Sequence, residues 1–197
     1  MSADSSRERI LEAALTLFSR QGFNSTSVEE IAAECGMKAP NLYKYFKGKS
    51  DIIAELENYI ENKYEQSMNR GVNTALWIHN AEEFRIYSTA QIKFTMTDDM
   101  MIKVRKMLTV EQFKNEFIKE KASFHQFYFL QKMFTDIFKS LIKQGVIEDE
   151  DPEMLAIEYF APVSILMQLC DREPDKKDEV MGMIELCIDR FIKRTFR

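Results

Sequence analysis

Apolar residues recur through this chain at the spacing of one face of an α-helix. In the first such segment they fall at offsets 0, 3, 4, 7 and 8, at Ile10, Ala13, Ala14, Leu17 and Phe18. Similar stripes follow to the end of the chain, and no segment alternates apolar and polar residues over the length of a strand. The pattern predicts an all-α protein of nine or ten helices.

Two of the predicted helices are short and follow each other closely, at residues 28–35 and about 39–45. Gly22 ends the helix before them, and Gly36 separates the two with a residue that tolerates positive φ. Pro40 lies in the first turn of the second helix, where its missing N–H costs least. Two short helices joined by such a turn form a helix-turn-helix, which places its second helix in the major groove of DNA.

The start of the first short helix carries a capping signal in two possible frames. Thr26 is followed three residues later by Glu29, and Ser27 is followed three residues later by Glu30. Either pair has the spacing of a capping box, in which each residue bonds the backbone N–H of the other. The sequence therefore predicts a well-defined helix start but leaves the frame open.

The second short helix and the residues after it have the chemistry of a DNA contact. Between Met37 and Ser50 there is no acidic residue, and there are four lysines: Lys38, Lys44, Lys47 and Lys49. The amide of Asn41 can donate to and accept from an adenine edge. The hydroxyls of Tyr43 and Tyr45 can reach phosphate while their rings pack. The alternative is a small solvated bundle with lysines on its wet face, and the turn and the absence of acids favour DNA.

The segments ILEAALTLFSRQGFNSTSVEEIAAECGM and LYKYFKGKSDI resemble the N-terminal region of the tetracycline-repressor (TetR) family of bacterial transcription regulators. The resemblance covers about residues 7–53. It implies phosphate contacts at the start of helix two and of helix four, and a recognition face on helix three. The residues that it assigns to DNA are Thr26, Ser27, Lys38, Ala39, Asn41, Tyr43, Lys44, Tyr45 and Lys49.

Two features depart from the family pattern. Gly48 stands where the family often has Ser or Asn, and glycine is a slightly weaker N-cap. Glu29 and Glu30 place negative charge on helix two, where a carboxylate facing the duplex would repel phosphate or accept from a cytosine amine. We expect these two residues to face solvent or to cap the helix.

The rest of the chain reads as further helices that end in glycine or begin before proline. The predicted ranges are 49–71, 81–95, 98–108, 110–119, 122–144, 152–170 and 176–194. The prediction divides the chain into a DNA-binding domain at 1–48 and an effector-binding and dimerisation domain at 49–197.

The second half of the chain is rich in aromatic residues and methionine, which suit either a ligand cavity or an ordinary core. The family resemblance implies an effector pocket in this half without assigning any residue to it. The candidates that we single out for its lining are Trp77, Tyr87, Gln91, Met100, Met101, Phe127, Gln131, Phe134 and Phe160.

The last two predicted helices are apolar on more than one side, and Gly182 would permit close approach of a neighbouring helix. A terminal helix that is apolar all round does not stay on the surface of a monomer. Two such helices in each chain can form a four-helix bundle around a two-fold axis. The sequence therefore predicts a homodimer that presents two recognition helices to a palindromic operator.

The net charge of −5 is unevenly distributed. Residues 1–50 carry 7 basic and 6 acidic side chains, net +1, and residues 51–197 carry 20 and 26, net −6. A local basic surface can steer DNA to one end of an acidic molecule. The acidic excess of the second half is also compatible with a cationic ligand.

The composition restricts the cell compartment and the class of function. No apolar run of about 20 residues and no signal peptide is evident, so we expect a cytoplasmic protein without membrane attachment. The three cysteines lie in apolar helical stripes and are expected to be reduced.

No motif for a metal, a cofactor or a catalytic nucleophile is found, and His79 and His125 stand isolated, so an enzyme is disfavoured. The hypothesis is a repressor released from its operator by a small apolar molecule. An activator and a constitutive DNA-binding protein remain open alternatives.

Overall fold

The computed structural model describes residues 3–68 and 77–197, and it confirms the all-α prediction for them. The helices are α1 (Ala3–Gln21), α2 (Val28–Glu34), α3 (Ala39–Leu42), α4 (Lys49–Met68), α5 (Ala81–Thr97), α6 (Asp99–Glu111), α7 (Glu116–Ser123), α8 (Phe129–Lys143), α9 (Pro152–Arg172) and α10 (Lys177–Thr195). A π-helical turn at Phe124–Tyr128 joins α7 to α8 without a break, and a short 3₁₀ helix at Pro174–Lys176 precedes α10.

The predicted helix boundaries hold at most positions and fail between residues 108 and 122. Helix α6 continues to Glu111, and the helix predicted at 110–119 begins only at Glu116. The physical reason is the side chain of Asn115, which accepts a hydrogen bond from the N–H of Ile118 (3.2 Å) and so starts a new helix. The predicted end of helix four at residue 71 lies outside the described residues.

Contacts divide the chain into two compact units. The first unit comprises the described residues of Met1–Gly71 and Asp99–Lys119, and the second comprises those of Val72–Asp98 and Glu120–Arg197. Packing therefore groups α4, α6 and the first half of α7, up to Lys119, with the helix-turn-helix. The boundary between residues 48 and 49 separates two predicted functions, DNA binding and effector binding with dimerisation, and it stays a prediction.

The core of the first unit is formed by the apolar stripe of α1 and the residues that pack on it. Phe18, Leu42 and Phe46 are buried, and Phe23 is half-buried against Phe18, with ring centroids 5.3 Å apart. Helix α4 is tied to α1 by the hydroxyl of Tyr59, which donates to the carboxylate of Glu12 (2.5 Å). These contacts form the base on which α2 and α3 rest.

The core of the second unit is an aromatic cluster centred on Phe84 of α5. Its ring centroid lies 5.6 Å from that of Phe138, 5.1 Å from that of Tyr159 and 5.3 Å from that of Phe196. Such tilted and edge-on pairs add to the hydrophobic gain from burial. The chain end is held beside this cluster by an isolated bridge between Ile147 and Phe196.

Helix α9 is long and apolar enough, by composition alone, to cross a membrane, with a mean hydropathy of 1.3 over 18 residues. Core helices of soluble proteins share this property, and the buried side of α9 packs in the second unit through Leu155, Tyr159, Phe160 and Val163. Cys35 and Cys170 are buried, Cys187 is half-buried, and none of the three is paired in a disulfide. Burial raises the pKa of the Cys35 thiol, which keeps it protonated.

Candidate nucleic-acid interface

The start of α2 uses the second of the two possible capping frames. The hydroxyl of Ser27 accepts from the N–H of Glu30 (3.1 Å), and the carboxylate of Glu30 accepts from the N–H of Ser27 (2.7 Å). Both halves of a capping box are therefore present at the Ser27 frame. This arrangement gives Glu30 a structural role, as expected, and holds its carboxylate at the end of α2 instead of on a base edge.

Thr26 has a different role from its neighbour. Its side chain is buried, and its hydroxyl donates to the carbonyl of Gly22 (2.8 Å), which closes the loop between α1 and α2. Because this hydroxyl is buried and already bonded, we do not retain Thr26 among the residues proposed to contact DNA.

Acid should weaken the capping box. The hydrogen bonds from the backbone and side chain of Ser27 lower the pKa of Glu30 below its usual value of 4.5. A carboxyl whose pKa is lower in the folded state stabilises the fold above its unfolded pKa and loses this effect as pH falls through the folded pKa. We expect Glu30→Gln to lower the melting temperature at pH 7, and the difference from the wild type to be smaller at pH 3.

Thermal unfolding followed by circular dichroism at both pH values measures this difference. Glu29→Gln, at the neighbouring exposed carboxylate outside the capping box, is the control and should show a smaller difference at pH 7. A deficit for Glu30→Gln that persisted unchanged at pH 3 would contradict the role of the ionised carboxylate.

The turn between α2 and α3 has the predicted glycine geometry. Gly36 has φ 68°, and the N–H of Met37 donates to the carbonyl of Ala32 (2.9 Å) across the end of α2. Helix α3 is shorter than predicted, because it ends at Leu42 and residues 43–45 continue as turns. The side chains of Leu42 and Phe46 are buried and hold the inner side of this short segment in the core of the first unit.

The outer side of this segment is a surface that we name the recognition surface, formed by Lys38, Ala39, Asn41, Tyr43, Lys44 and Tyr45. Lys38, Asn41, Tyr43 and Lys44 are exposed, Tyr43 with 51% of its surface, and Ala39 and Tyr45 are half-buried. Among the described residues, neither Lys38 nor Lys44 forms an ion pair. The fold thus brings these six predicted residues together and leaves their amide, hydroxyl and ammonium groups available to a ligand with acceptor groups.

The side chain of Lys49 forms contacts within the first unit, whereas the sequence suggested only a contact with DNA. Its ammonium donates to the carbonyl of Phe23 (2.7 Å) and lies 4.6 Å from the centroid of the Phe23 ring. Meanwhile the Asp51 carboxylate accepts from the N–H of Lys47 (2.9 Å) and supplies the cap that Gly48 lacks. Lys49 therefore holds the loop before α2 against α4, and a phosphate contact would use only a donor left over from these bonds.

Arg7 is a supporting residue that sequence reasoning missed. Its guanidinium donates to the carbonyl of Tyr45 (3.1 Å), pairs with the carboxylate of Glu55 and lies 4.6 Å from the centroid of the Phe46 ring. These contacts join α1, the end of the recognition surface and α4. No local pattern marks Arg7, because its partners lie 38 and 48 residues away in sequence.

The candidate pocket residues are only partly brought together. In the second unit, Phe134 and Phe160 are buried, Tyr87, Gln91 and Gln131 are half-buried, and Phe127 lies at the surface with its ring 5.6 Å from that of Phe160. Trp77 has 66% of its surface exposed. Met100 and Met101 belong to the first unit, where Met101 is buried. The candidates in the second unit that remain closest to its core lie on α5, α8 and α9.

Helices α1–α3 contain a helix-turn-helix, and its recognition surface is basic and has no acidic residue. These features define a protein of the helix-turn-helix DNA-binding class. The family model described as "Bacterial regulatory proteins, tetR family" matches residues 10–56. Over this segment the chain is similar to the DNA-binding region of the TetR family. The match ends within α4 and contains the whole recognition surface.

Named relatives agree with this assignment. The HTH-type transcriptional regulator AcrR of Shigella flexneri is 46% identical over 54 residues, which are 27% of this chain and 25% of AcrR. The chain thus matches about a quarter of the length of that relative. The HTH-type transcriptional regulator QacR of Staphylococcus aureus is 23% identical over 144 residues, which cover 73% of this chain and 72% of QacR.

Solved structures share the fold over nearly the full chain. SmeT, described as the repressor of the Stenotrophomonas maltophilia multidrug efflux pump SmeDEF, has a TM-score of 0.71 and 20% identity, covering 97% of this chain and 90% of SmeT. A SmeT–triclosan complex has a TM-score of 0.72 and 19% identity, covering 98% of this chain and 92% of that one. At these identities the likeness concerns the fold.

Proposed function

We propose that the protein is a ligand-responsive DNA-binding transcriptional regulator, and specifically a repressor that a small, largely apolar molecule releases from a palindromic operator. The observation that carries the proposal is the recognition surface, a continuous set of exposed lysine, tyrosine and asparagine side chains whose segment is held in place by buried apolar side chains. The named relatives support it, since AcrR and QacR are transcriptional regulators and SmeT is a repressor. The protein acts in the cytoplasm and has no catalytic role or cofactor.

The recognition surface suits both parts of DNA recognition. The ammonium groups of Lys38 and Lys44 and the hydroxyl of Tyr43 contact phosphate, which gives affinity and position. The exposed amide of Asn41 contacts a base edge and contributes sequence preference. Ser27 is half-buried at the start of α2, and we place a phosphate contact at the backbone N–H groups of this helix start.

Exposed apolar residues on α9 and α10 support the proposed homodimer. Ile165 of α9 and Leu186 of α10 have 62% and 53% of their surfaces exposed, and a Cβ at Gly182 would meet no atom within 4 Å. Gly182 and Leu186 lie one turn apart on the same side of α10. A second copy of these helices would cover this side and complete a four-helix bundle.

Release by a ligand requires only a modest preference between two conformations of the dimer. A ligand that binds the non-operator conformation about tenfold more tightly supplies about 1.4 kcal/mol of coupling free energy. We place the ligand in the second unit, among the aromatic residues of α5, α8 and α9. The existence of a SmeT–triclosan complex with the same fold is consistent with a small-molecule effector.

Replacing residues of the recognition surface tests the DNA-binding proposal. We expect Lys38→Ala and Tyr43→Ala each to weaken operator binding by about tenfold or more, since each change acts in both half-sites. Lys38→Ala should also make the salt dependence of log K shallower by about 2, because two phosphate contacts are lost, and Tyr43→Ala should leave it unchanged. The probe is a duplex that the wild-type protein enriches from a random pool, and affinity is measured by fluorescence anisotropy.

Matched controls in the second unit separate this effect from general loss of charge or aromatic surface. Lys139→Ala and Tyr128→Ala remove exposed residues of the same types. They should bind the duplex like the wild type, and all four variants should unfold at similar temperatures. Wild-type affinity for both Lys38→Ala and Tyr43→Ala would rule out the recognition surface as the DNA contact.

A further inference from the structure

Among the hydroxyl groups of the second unit that are buried without a hydrogen-bond partner, two lie next to the ring of Phe84. Ser88 on α5 and Tyr159 on α9 have exposed fractions of 1% and 3%, and neither oxygen has a partner among the described residues. Ser88 lies one helical turn after Phe84, whose ring packs 5.1 Å from that of Tyr159. The Ser88 hydroxyl lies near enough to Tyr159 to oppose part of the rise that burial causes in the pKa of Tyr159. The two hydroxyl oxygens nevertheless do not meet the distance and angle of a hydrogen bond.

An unpartnered amide oxygen continues this polar group along α5. Gln91 lies three residues after Ser88 and therefore on the same side of the helix. Its Nε2 donates to the hydroxyl of Tyr87 (3.1 Å), while its Oε1 is buried and has no partner. The hydroxyl of Tyr87 in turn donates to the sulfur of Met133 (3.8 Å), a weak acceptor.

Each of these unpartnered groups carries a cost. A buried polar group without a hydrogen bond destabilises the fold by about 1–3 kcal/mol, so a bound molecule that forms the missing bonds would be stabilised there. The groups that Ser88, Tyr159 and Gln91 offer are two hydroxyls and one amide oxygen. They match a small group that both donates and accepts, such as a hydroxyl or an amide.

The same region offers nothing to balance an ionic charge. The buried polar residues of the second unit, among those described, are Ser88, Thr135 and Thr195, and no carboxylate or basic side chain is buried there. Burial raises the pKa of Tyr159, so its hydroxyl stays neutral. An ammonium ion placed there would lose its hydration without gaining a counter-ion, which is strongly unfavourable. The acidic residues that suggested a cationic ligand, such as those at 148–151, lie at the surface.

We propose that Ser88, Gln91 and Tyr159 bind the single polar group of an uncharged, largely apolar effector, whose body packs among Phe84, Phe134 and their aromatic neighbours. The ring of Phe134 lies 4.5 Å from that of Tyr159, so flat apolar groups are favoured beside the hydroxyl pair. This inference rests on the proposed function, because it assigns a chemical class to the effector of the same regulator.

Three probes of similar size and different polarity test the chemical class. They are 2-naphthol, naphthalene and the 2-naphthylmethylammonium ion, and binding to the full-length protein is measured by isothermal titration calorimetry and by the rise in melting temperature. We expect 2-naphthol to bind at least tenfold more tightly than either of the other two. Equal or tighter binding of the ammonium ion, or no binding of 2-naphthol at millimolar concentration, would overturn the proposal.

Variants then test the residues. Ser88→Ala and Tyr159→Phe should each weaken 2-naphthol binding by about tenfold and reduce its preference over naphthalene, while Thr195→Val, which removes another buried unpartnered hydroxyl, should bind like the wild type. Unchanged binding in both Ser88→Ala and Tyr159→Phe would show that these hydroxyls bind only internal water, and it would overturn their assignment to the effector. Duplex binding, measured on the same preparations, distinguishes a failure of this inference from a failure of the proposed DNA-binding function.

Discussion

Gly22→Ala is expected to lower the free energy of unfolding by about 2–5 kcal/mol, against about 1–2 kcal/mol for Gly36→Ala. Both glycines have positive φ, 86° and 68°, so alanine is strained in either place. They differ in their surroundings. A Cβ on Gly22 would overlap Oε1 of Glu111 and lie 3.6 Å from Cγ1 of Val110, whereas one on Gly36 would meet nothing within 4 Å.

The overlap is costly because Glu111 has little room to move. Its side chain is 1% exposed where α6 packs against the end of α1, within the first unit. Either the carboxylate or the helix must shift, and interiors packed to crystal density resist both. Urea unfolding followed by circular dichroism measures the two losses.

A double-mutant comparison isolates the contact. In a Glu111→Ala background the overlap is gone, so Gly22→Ala should cost no more than Gly36→Ala does in the wild type. Equal losses for the two glycine variants in the wild-type background would mean that α6 does not hold its carboxylate against Gly22.

Leu186→Glu is expected to convert the dimer to a monomer and to weaken operator binding by about 10²–10⁴-fold. The exposed side of α10 that contains Leu186 is proposed to pack against a second copy, and a carboxylate buried there without a partner is strongly unfavourable. A monomer loses the high effective concentration that the first bound head gives to the second, which accounts for the size of the loss. Sedimentation velocity and anisotropy with the enriched duplex measure the two effects.

Ile86→Glu is the matched control for this change. Ile86 is 59% exposed, close to the 53% of Leu186, but it lies on α5, outside the proposed interface. This variant should remain dimeric and bind the duplex like the wild type. A wild-type protein that sediments as a monomer, or a dimeric Leu186→Glu with normal operator affinity, would rule out the interface on α10.

The parts of the site that could be predicted from the sequence are those with local causes. The glycines at 22, 36 and 145 have the positive φ that their places after helices required. The absence of acids between Met37 and Ser50 determined the charge of the recognition surface, and the apolar stripe through Leu42 and Phe46 determined which side is buried. These features depend on residues within a few helical turns of each other.

The parts that could not be predicted depend on residues far apart in the chain. Thr26 is a local exception: Ser27 and Thr26 are equivalent in the sequence pattern, which does not show that the loop brings the Gly22 carbonyl, four residues earlier, to the Thr26 hydroxyl. Lys49 looks like the other lysines, and the position of Phe23, 26 residues earlier, makes it an internal donor. Among aromatic residues no pattern separates pocket from core, so Met101 and Phe134 looked alike although they lie in different units.

By itself, the sequence of this protein determined the helices, the helix-turn-helix and the sign of its exposed face, because helix periodicity, capping and charge are set by neighbours along the chain. Tertiary structure alone decided which polar groups remain available. The loop after α1 uses the hydroxyl of Thr26, and a contact across 26 residues of sequence uses the ammonium of Lys49. Packing around Phe84 leaves the hydroxyls of Ser88 and Tyr159 buried without partners, because hydrogen-bond satisfaction depends on which groups the fold places side by side.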